Sequence, residues 1–149
     1  MRAFLIAIAL TLGAVGTSPL HALTDDAALA TTPPNEWTPQ MLRHYQHTPR
    51  YKAWESATKF FVRAQCDHRI PEYSAETGSK FDVDLGALSD LRTVSYPVSF
   101  TFRVTRPHDK AVYCYSVSKS SHFSPWQFQD AWKQTREGKR IAPLAVPKT

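Results

Sequence analysis

Glycine, cysteine and long apolar runs are all scarce in this sequence. Its 149 residues hold five glycines, at positions 13, 16, 78, 86 and 138, so no glycine-rich loop exists to cradle a phosphate. Two cysteines, Cys66 and Cys114, are too few for a disulfide-dense mini-protein. Cys66-Asp67-His68 lacks the second ligand pair that a zinc site needs, so no metal site and no cofactor is assigned. The one extended apolar run, Ala3 to Val15, falls short of the roughly 20 residues that span a bilayer. What remains is an ordinary globular composition, 42% hydrophobic and 21% charged, which excludes collagen-like and disordered classes. The length suits one domain.

The N-terminus carries an address. Met1-Arg2 is a short positive start, the apolar run follows, and residues 16–22 read as a breaker plus cleavage region ending in small Ala22. That order is the secretory-signal pattern; an uncleaved anchor is the alternative. The reading is therefore a signal peptide at 1–22, a flexible acidic, Pro/Thr/Ala-containing arm at 23–36, and a single domain at 37–149. The exported chain, periplasmic or extracellular, has no transmembrane segment after cleavage. Loss of Arg2 takes the net charge from +5 to +4. That weak positive balance favours anionic partners, while export excludes nucleic acid. An oxidising compartment turns Cys66 and Cys114 into an expected disulfide, and closing a loop of 114 − 66 = 48 residues contributes about 4 kcal/mol.

Helical signals come first. Thr38 is a good N-cap with Pro39 at the first helical position, and Trp37 is placed to staple onto Leu42. Pro49 forces Thr48 out of the helical region and repeats the cap signal for a second helix reaching about Cys66. Trp54, Ala57, Phe61 and Ala64 form its apolar stripe, with Phe60 alongside, and Glu55 and Lys59 are spaced for an i,i+4 pair.

The second half has the period of strands. Phe81, Val83 and Leu85 alternate with Asp82 and Asp84, and alternation is strict from Thr93 to Thr105. Pro97 marks a bulge or sheet edge there. Arg106 to Lys110 reads as a five-residue turn and Ala111 to Lys119 as the return strand. That register places Phe102 opposite Cys114, so Cys114 joins the apolar face on which a helix ending in Cys66 would pack. It also leaves Arg103, Tyr113 and Tyr115 together on the other face. A four-residue turn would reverse the return strand. Phe123 to Lys133 carries both a strand alternation and a helix capping box; the turn-like Arg136 to Arg140 that follows favours strand. Ile141 to Thr149, with two prolines, is an edge strand fading into a tail.

The fold expectation is α+β: an N-terminal helix, bent or in two pieces, packed on a curved antiparallel meander of about four strands, roll-like, with one helix-to-sheet disulfide. The layout is similar to that of cystatin-like and NTF2-like domains. None of their motifs occurs here, so the likeness is one of architecture and implies no function.

No convergent catalytic set stands out. Ser120-Ser121-His122 lacks the strand-turn-helix elbow of a nucleophile, and neighbours on a strand point apart. His44 and His47 share a helix face without a carboxylate one turn away. Asp82 and Asp84 lie on one side of a strand, where solvent-facing charges also belong. Two binding features stand higher: the Arg103, Tyr113 and Tyr115 face, of hot-spot composition, and a basic end of Lys133, Arg136, Lys139 and Arg140 against Glu137. The leading expectation is an exported, non-enzymatic binding or accessory protein. Its partner is another protein or an anionic envelope polymer. The alternative is a small envelope hydrolase or anionic-polymer-binding protein joining Asp82 or Asp84 to His68 or His122 in a concave pocket.

Overall fold

The computed structural model describes residues 19–86, 88 and 91–148, with side chains from residue 25 onward. The apolar run at 3–15 lies outside them. Helix α1 (Pro19–Thr31) and a 3-10 turn (Pro34–Glu36) lead into α2 (Pro39–Gln46) and α3 (Pro49–Cys66). Strands β1 (Lys80–Asp84), β2 (Val98–Thr105), β3 (Val112–Lys119), β4 (Gln127–Gln134) and β5 (Arg140–Pro143) form one antiparallel meander in sequence order. The architecture is α+β, with a fifth strand where about four were expected.

Local chemistry sets the helix boundaries. The Thr38 hydroxyl accepts from the Met41 N–H at 3.2 Å, and the Thr48 hydroxyl does the same for Tyr51. Thr48 also donates to the Tyr45 carbonyl at 2.7 Å, which ties the end of α2 to the start of α3 across the bend. Trp37 packs on Tyr45, ring centroids 4.9 Å apart, rather than on Leu42, which is exposed. At the other end of α3, His68 takes a left-handed φ of 56°. The Arg69 N–H then reaches the Ala64 carbonyl and the His68 N–H the Gln65 carbonyl, closing the helix in a Schellman turn. Glu55 and Lys59 pair at 3.6 Å as spaced.

The core lies between α3 and the inner face of the sheet. Ala57, Phe61 and Ala64 are fully buried against Phe100, Phe102, Val104, Tyr115, Val117 and Phe128. Phe61 stacks on Phe102 at 4.3 Å with an interplanar angle of 3°, and meets the rings of Phe81, Tyr115 and Phe128 at 5.2 to 6.5 Å. A second, smaller cluster of Leu29, Tyr45 and Leu91 holds α1 against α2 and the segment before β2. Residues 23–31 therefore belong to a packed helix, although their sequence shows no period and reads as an arm. Among the described side chains of that helix, Leu29 supplies the buried apolar anchor.

The hairpin register corrects the expected disulfide. Thr105 pairs with Val112, so the turn holds six residues, and Arg103 rather than Phe102 faces Cys114. An even turn reverses the return strand. Asp109 stabilises the longer turn: its carboxylate accepts from the Ala111 N–H at 3.0 Å and from the Tyr113 hydroxyl. The hydrophobic pattern favours this parity, because Tyr113, Tyr115 and Val117 then point inward, whereas the expected register would bury Ser116 and Ser118 beside Cys114. Cys114 lies on the face away from α3, Cys66 is exposed at the end of α3, and both are free thiols. No disulfide joins helix to sheet. Phe123 to Lys133 resolves as strand from Gln127, with a bulge between Ser116 and Val117 of its partner.

Burial pushes the Cys114 thiol up to about 11, with the Asp82 charge adding to it and Arg103 and Arg140 opposing. A protonated, buried thiol is unreactive. In the native protein, thiol reagent should modify Cys66 and spare Cys114 until denaturant is added; two protected thiols, or a mobility shift on reduction, would contradict this arrangement. Phe61→Ala should cost about 3–5 kcal/mol in urea unfolding, because it empties the contact shared by four strands. A loss below about 1 kcal/mol would show that the core closes without that ring.

Candidate functional site

With its inner face filled by α3, the sheet presents its other face outward. Period-two alternation and the observed registers place Lys80, Asp82 and Asp84 of β1, Thr101, Arg103 and Thr105 of β2, Cys114 and Ser116 of β3, and Trp132 and Gln134 of β4 there. Arg103 stands at the centre of the Asp82 and Asp84 edge. Its Nε lies 3.3 Å from Asp82 Oδ1 and its Nη1 4.0 Å from Asp84 Oδ2. The Arg140 guanidinium carbon sits 4.1 Å from the centre of the Trp132 ring, and Nη2 reaches Asp130 at 2.6 Å. The indole N–H donates to Gln134 at 2.8 Å. The centre of the face is thus held by ion pairs and a cation–π contact, and Cys114 among them is fully buried.

Toward the β2–β3 turn the face opens into a groove of about 560 Å³. Four cationic side chains line it, Lys80, Arg103, Arg106 and Arg136, against the single carboxylate of Asp82. Arg103 offsets the Asp82 carboxylate, the one acidic group in the lining, so the net positive charge of the groove comes from the other three cations. Lys80 and Arg136 make no ion pair among the described residues. Thr105 and Gln134 add neutral hydrogen-bonding groups to the lining. Guanidinium forks beside neutral donors suit carboxylate, phosphate or sulfate groups.

The expected Tyr/Arg face is divided by the sheet. Arg103 is outward as expected, but Tyr115 is 1% exposed in the core and Tyr113 8% exposed on the same inner side. The hydrogen bond that the Tyr113 hydroxyl donates to Asp109 holds its pKa above the ordinary value, with burial adding to it. The basic end also separates. Arg136 enters the groove and Arg140 the adjoining face, while Lys133 lies over the Tyr113 ring at 5.5 Å and Lys139 closes the turn through its backbone. Lys80 and Arg106 were not singled out by their sequence setting. Their only signal is position, one opening β1 and the other leaving β2 directly across from it.

The catalytic alternatives find different partners. Asp82 and Asp84 face Arg103, His68 caps α3, and the His122 ring bonds the Tyr96 hydroxyl at 3.3 Å. Ser120 and Ser121 bond Ser124, at 2.8 and 2.6 Å, rather than a histidine. Among the described residues, no group of three or more His, Cys, Asp or Glu side chains is placed to hold a metal.

His44 does gain a carboxylate, from a segment read as an arm. Asp26 of α1 bonds His44 Nε2 and Arg92 Nε, each at 2.6 Å. No hydroxyl or thiol bonds His44 among the described residues, so the trio has no nucleophile and acts as a latch between α1, α2 and the chain before β2. Burial raises the Asp26 carboxyl, but hydrogen bonds from His44 and Arg92, with the Arg92 charge, outweigh it and hold the pKa below the usual 3.8. A depressed native value stabilises the fold above the unfolded pKa, and that stability is lost as pH falls through the native one. Asp26→Asn should therefore be less stable than the parent at pH 7, with the two denaturation midpoints converging below pH 3.8. A gap unchanged by acid would show that the carboxylate charge is not its source.

No protein-family model matches the chain, and no curated protein or solved structure matches it at a significant level.

Proposed function

We propose that this is an exported binding protein whose outward sheet face takes an anionic group, as displayed on an acidic polymer or an acidic protein segment. The observation that carries the reading is the groove at the β2–β3 end, with four cations to one carboxylate. Lys80 and Arg103 stand on paired strands, and Arg106 and Arg136 on the turns that leave β2 and β4, so four separate segments bring their charges to one end of the sheet. Export rests on the positive start, the apolar run at 3–15 and the small-residue cleavage region. Among the described residues, no helix is long and apolar enough to cross a membrane.

The proposal differs from the composition-based face in its chemistry. Tyrosine area is absent from the outward side, so affinity comes from charge and from hydrogen bonds, with the Trp132–Arg140 stack as the adjoining apolar surface. Such binding weakens steeply with salt, because the charges are solvent-accessible.

Polyphosphate and polyglutamate are suitable probes, with polylysine as the control of opposite sign. The parent should retain both polyanions at low salt and release them as salt rises. The pair Lys80→Glu and Arg136→Glu should lower that affinity by about tenfold or more, since two attractions become repulsions of roughly 1 kcal/mol each in high dielectric. The unfolding midpoint should stay within about 0.5 kcal/mol of the parent, as both side chains are exposed. Equal retention by parent and double variant would remove the groove as the site.

A further inference from the structure

The opposite end of the sheet carries a different surface. Phe123, at the tip of the β3–β4 loop, is 94% exposed; no other large hydrophobic side chain among the described residues exceeds 56%. The loop around it is braced. The Ser124 N–H donates to the Ser121 carbonyl at 3.2 Å, and the hydroxyls of Ser120 and Ser121 both meet that of Ser124. The bracing holds the phenyl ring outward, away from any core. His122 packs edge-on against Phe123 at 5.1 Å and against Tyr96 at 6.4 Å, and Tyr96 is itself exposed. Behind these rings lies a shallow groove between α3 and the segment before β2. Lys52, Arg92, Lys119 and His122 are in its lining, and no carboxylate is. Arg92 is engaged by Asp26, whereas Lys52 and Lys119 make no ion pair among the described residues and supply the positive charge of the lining.

An aromatic tip with a cationic surround has two obvious kinds of partner, and shape separates them. A stable protein interface needs roughly 800 Å² from each side, with complementary packing. A single projecting phenyl on a tight loop supplies a small convex wedge instead. A wedge needs no matching pocket in a bilayer, where aromatic rings settle at headgroup depth and nearby lysines meet anionic lipid. The absence of carboxylates from the groove lining completes the charge match.

We propose that the β3–β4 loop docks this protein on an anionic lipid surface, with Phe123 entering the interfacial layer and Lys52 and Lys119 facing the headgroups. The β3 strand, eight residues or roughly 25 Å long, separates this loop from the β2–β3 turn. Docking by the loop therefore leaves the cationic groove pointing away from the membrane and open to a soluble ligand. The proposal stands on its own residues and does not need the groove to bind anything.

Sedimentation with vesicles tests it, using phosphatidylcholine alone and phosphatidylcholine mixed with phosphatidylglycerol. Every form of the protein carries the same N-terminus, so residues before 19 contribute equally. The parent should sediment with the anionic vesicles and much less with the neutral ones, and inorganic phosphate should not compete. Phe123→Ser should reduce partitioning by about tenfold or more, the loss expected for one phenyl ring kept in water. Lys52→Glu with Lys119→Glu should reduce it as well. Phe123→Trp should keep binding and add an emission component that shifts to the blue with vesicles. The groove pair Lys80→Glu and Arg136→Glu should sediment like the parent, which separates this proposal from the groove reading. The idea is overturned if the parent ignores anionic vesicles, if Phe123→Ser binds as the parent does, or if only the groove pair loses binding.

Discussion

The stack of Phe61 on Phe102 is the contact on which the rest of the molecule is arranged. One ring from α3 touches aromatic side chains from β1, β2, β3 and β4, so a single helical residue spans most of the meander. Ala57 and Ala64, one turn to either side, let the helix backbone approach closely enough for that ring to reach the sheet. Burial of this kind is the main favourable term in a domain of this size. It also decides what is left for function. With α3 occupying one face, the other face can carry charge.

That outward face shows how electrostatics are divided in a small protein. Arg103 holds two aspartates that would otherwise repel each other, and Arg140 holds Asp130 while covering Trp132. Arg140 balances Asp130 and Arg103 balances one of the two β1 carboxylates, and only Asp82 among these three acids lines the groove at the β2–β3 turn. Lys80, Arg106 and Arg136 therefore dominate the groove, even though the whole chain carries only a modest positive excess. The two ends of the sheet differ accordingly: the groove end is cationic and recessed, and the Phe123 end is aromatic and projecting. A sheet with unlike ends is suited to holding two things at once.

Much of the architecture was legible residue by residue. Thr38-Pro39 and Thr48-Pro49 mark both helix starts, because a capping hydroxyl followed by a proline satisfies one backbone donor and removes another. The Ala57, Phe61 and Ala64 stripe and the β1 alternation are equally direct consequences of period, whereas 123–133 carries strand and helix signals together and the turn after it favours the strand. The hairpin parity was not legible: Tyr113, Tyr115 and Val117 contrast with Cys114, Ser116 and Ser118, but a turn of five or six residues reverses which set is buried. The expected disulfide drew the reading toward the wrong side. Oxidation pairs cysteines only when geometry brings them together, and here the sheet lies between them. Helix α1 escaped notice for another reason. Leu29, its one buried side chain among the described residues, creates no periodic signal, and the helix's contacts are Tyr45 and Leu91 for Leu29 and His44 and Arg92 for Asp26, all four supplied from elsewhere in the chain.

The sequence by itself determined where α2 and α3 begin and end, which strands alternate, and that helix precedes sheet in an α+β order. Those properties depend on neighbours within a few residues, where capping, proline geometry and side-chain period act. Only the tertiary structure decided which side of the sheet each residue of β3 faces, because one additional residue in the preceding turn reverses them all. Only it brought Lys80, Arg103, Arg106 and Arg136 from separate segments into one groove, and Asp26 to His44 and Arg92. Strand pairing sets adjacent chains about 4.8 Å apart whatever their separation in sequence, so groupings of that kind are properties of register.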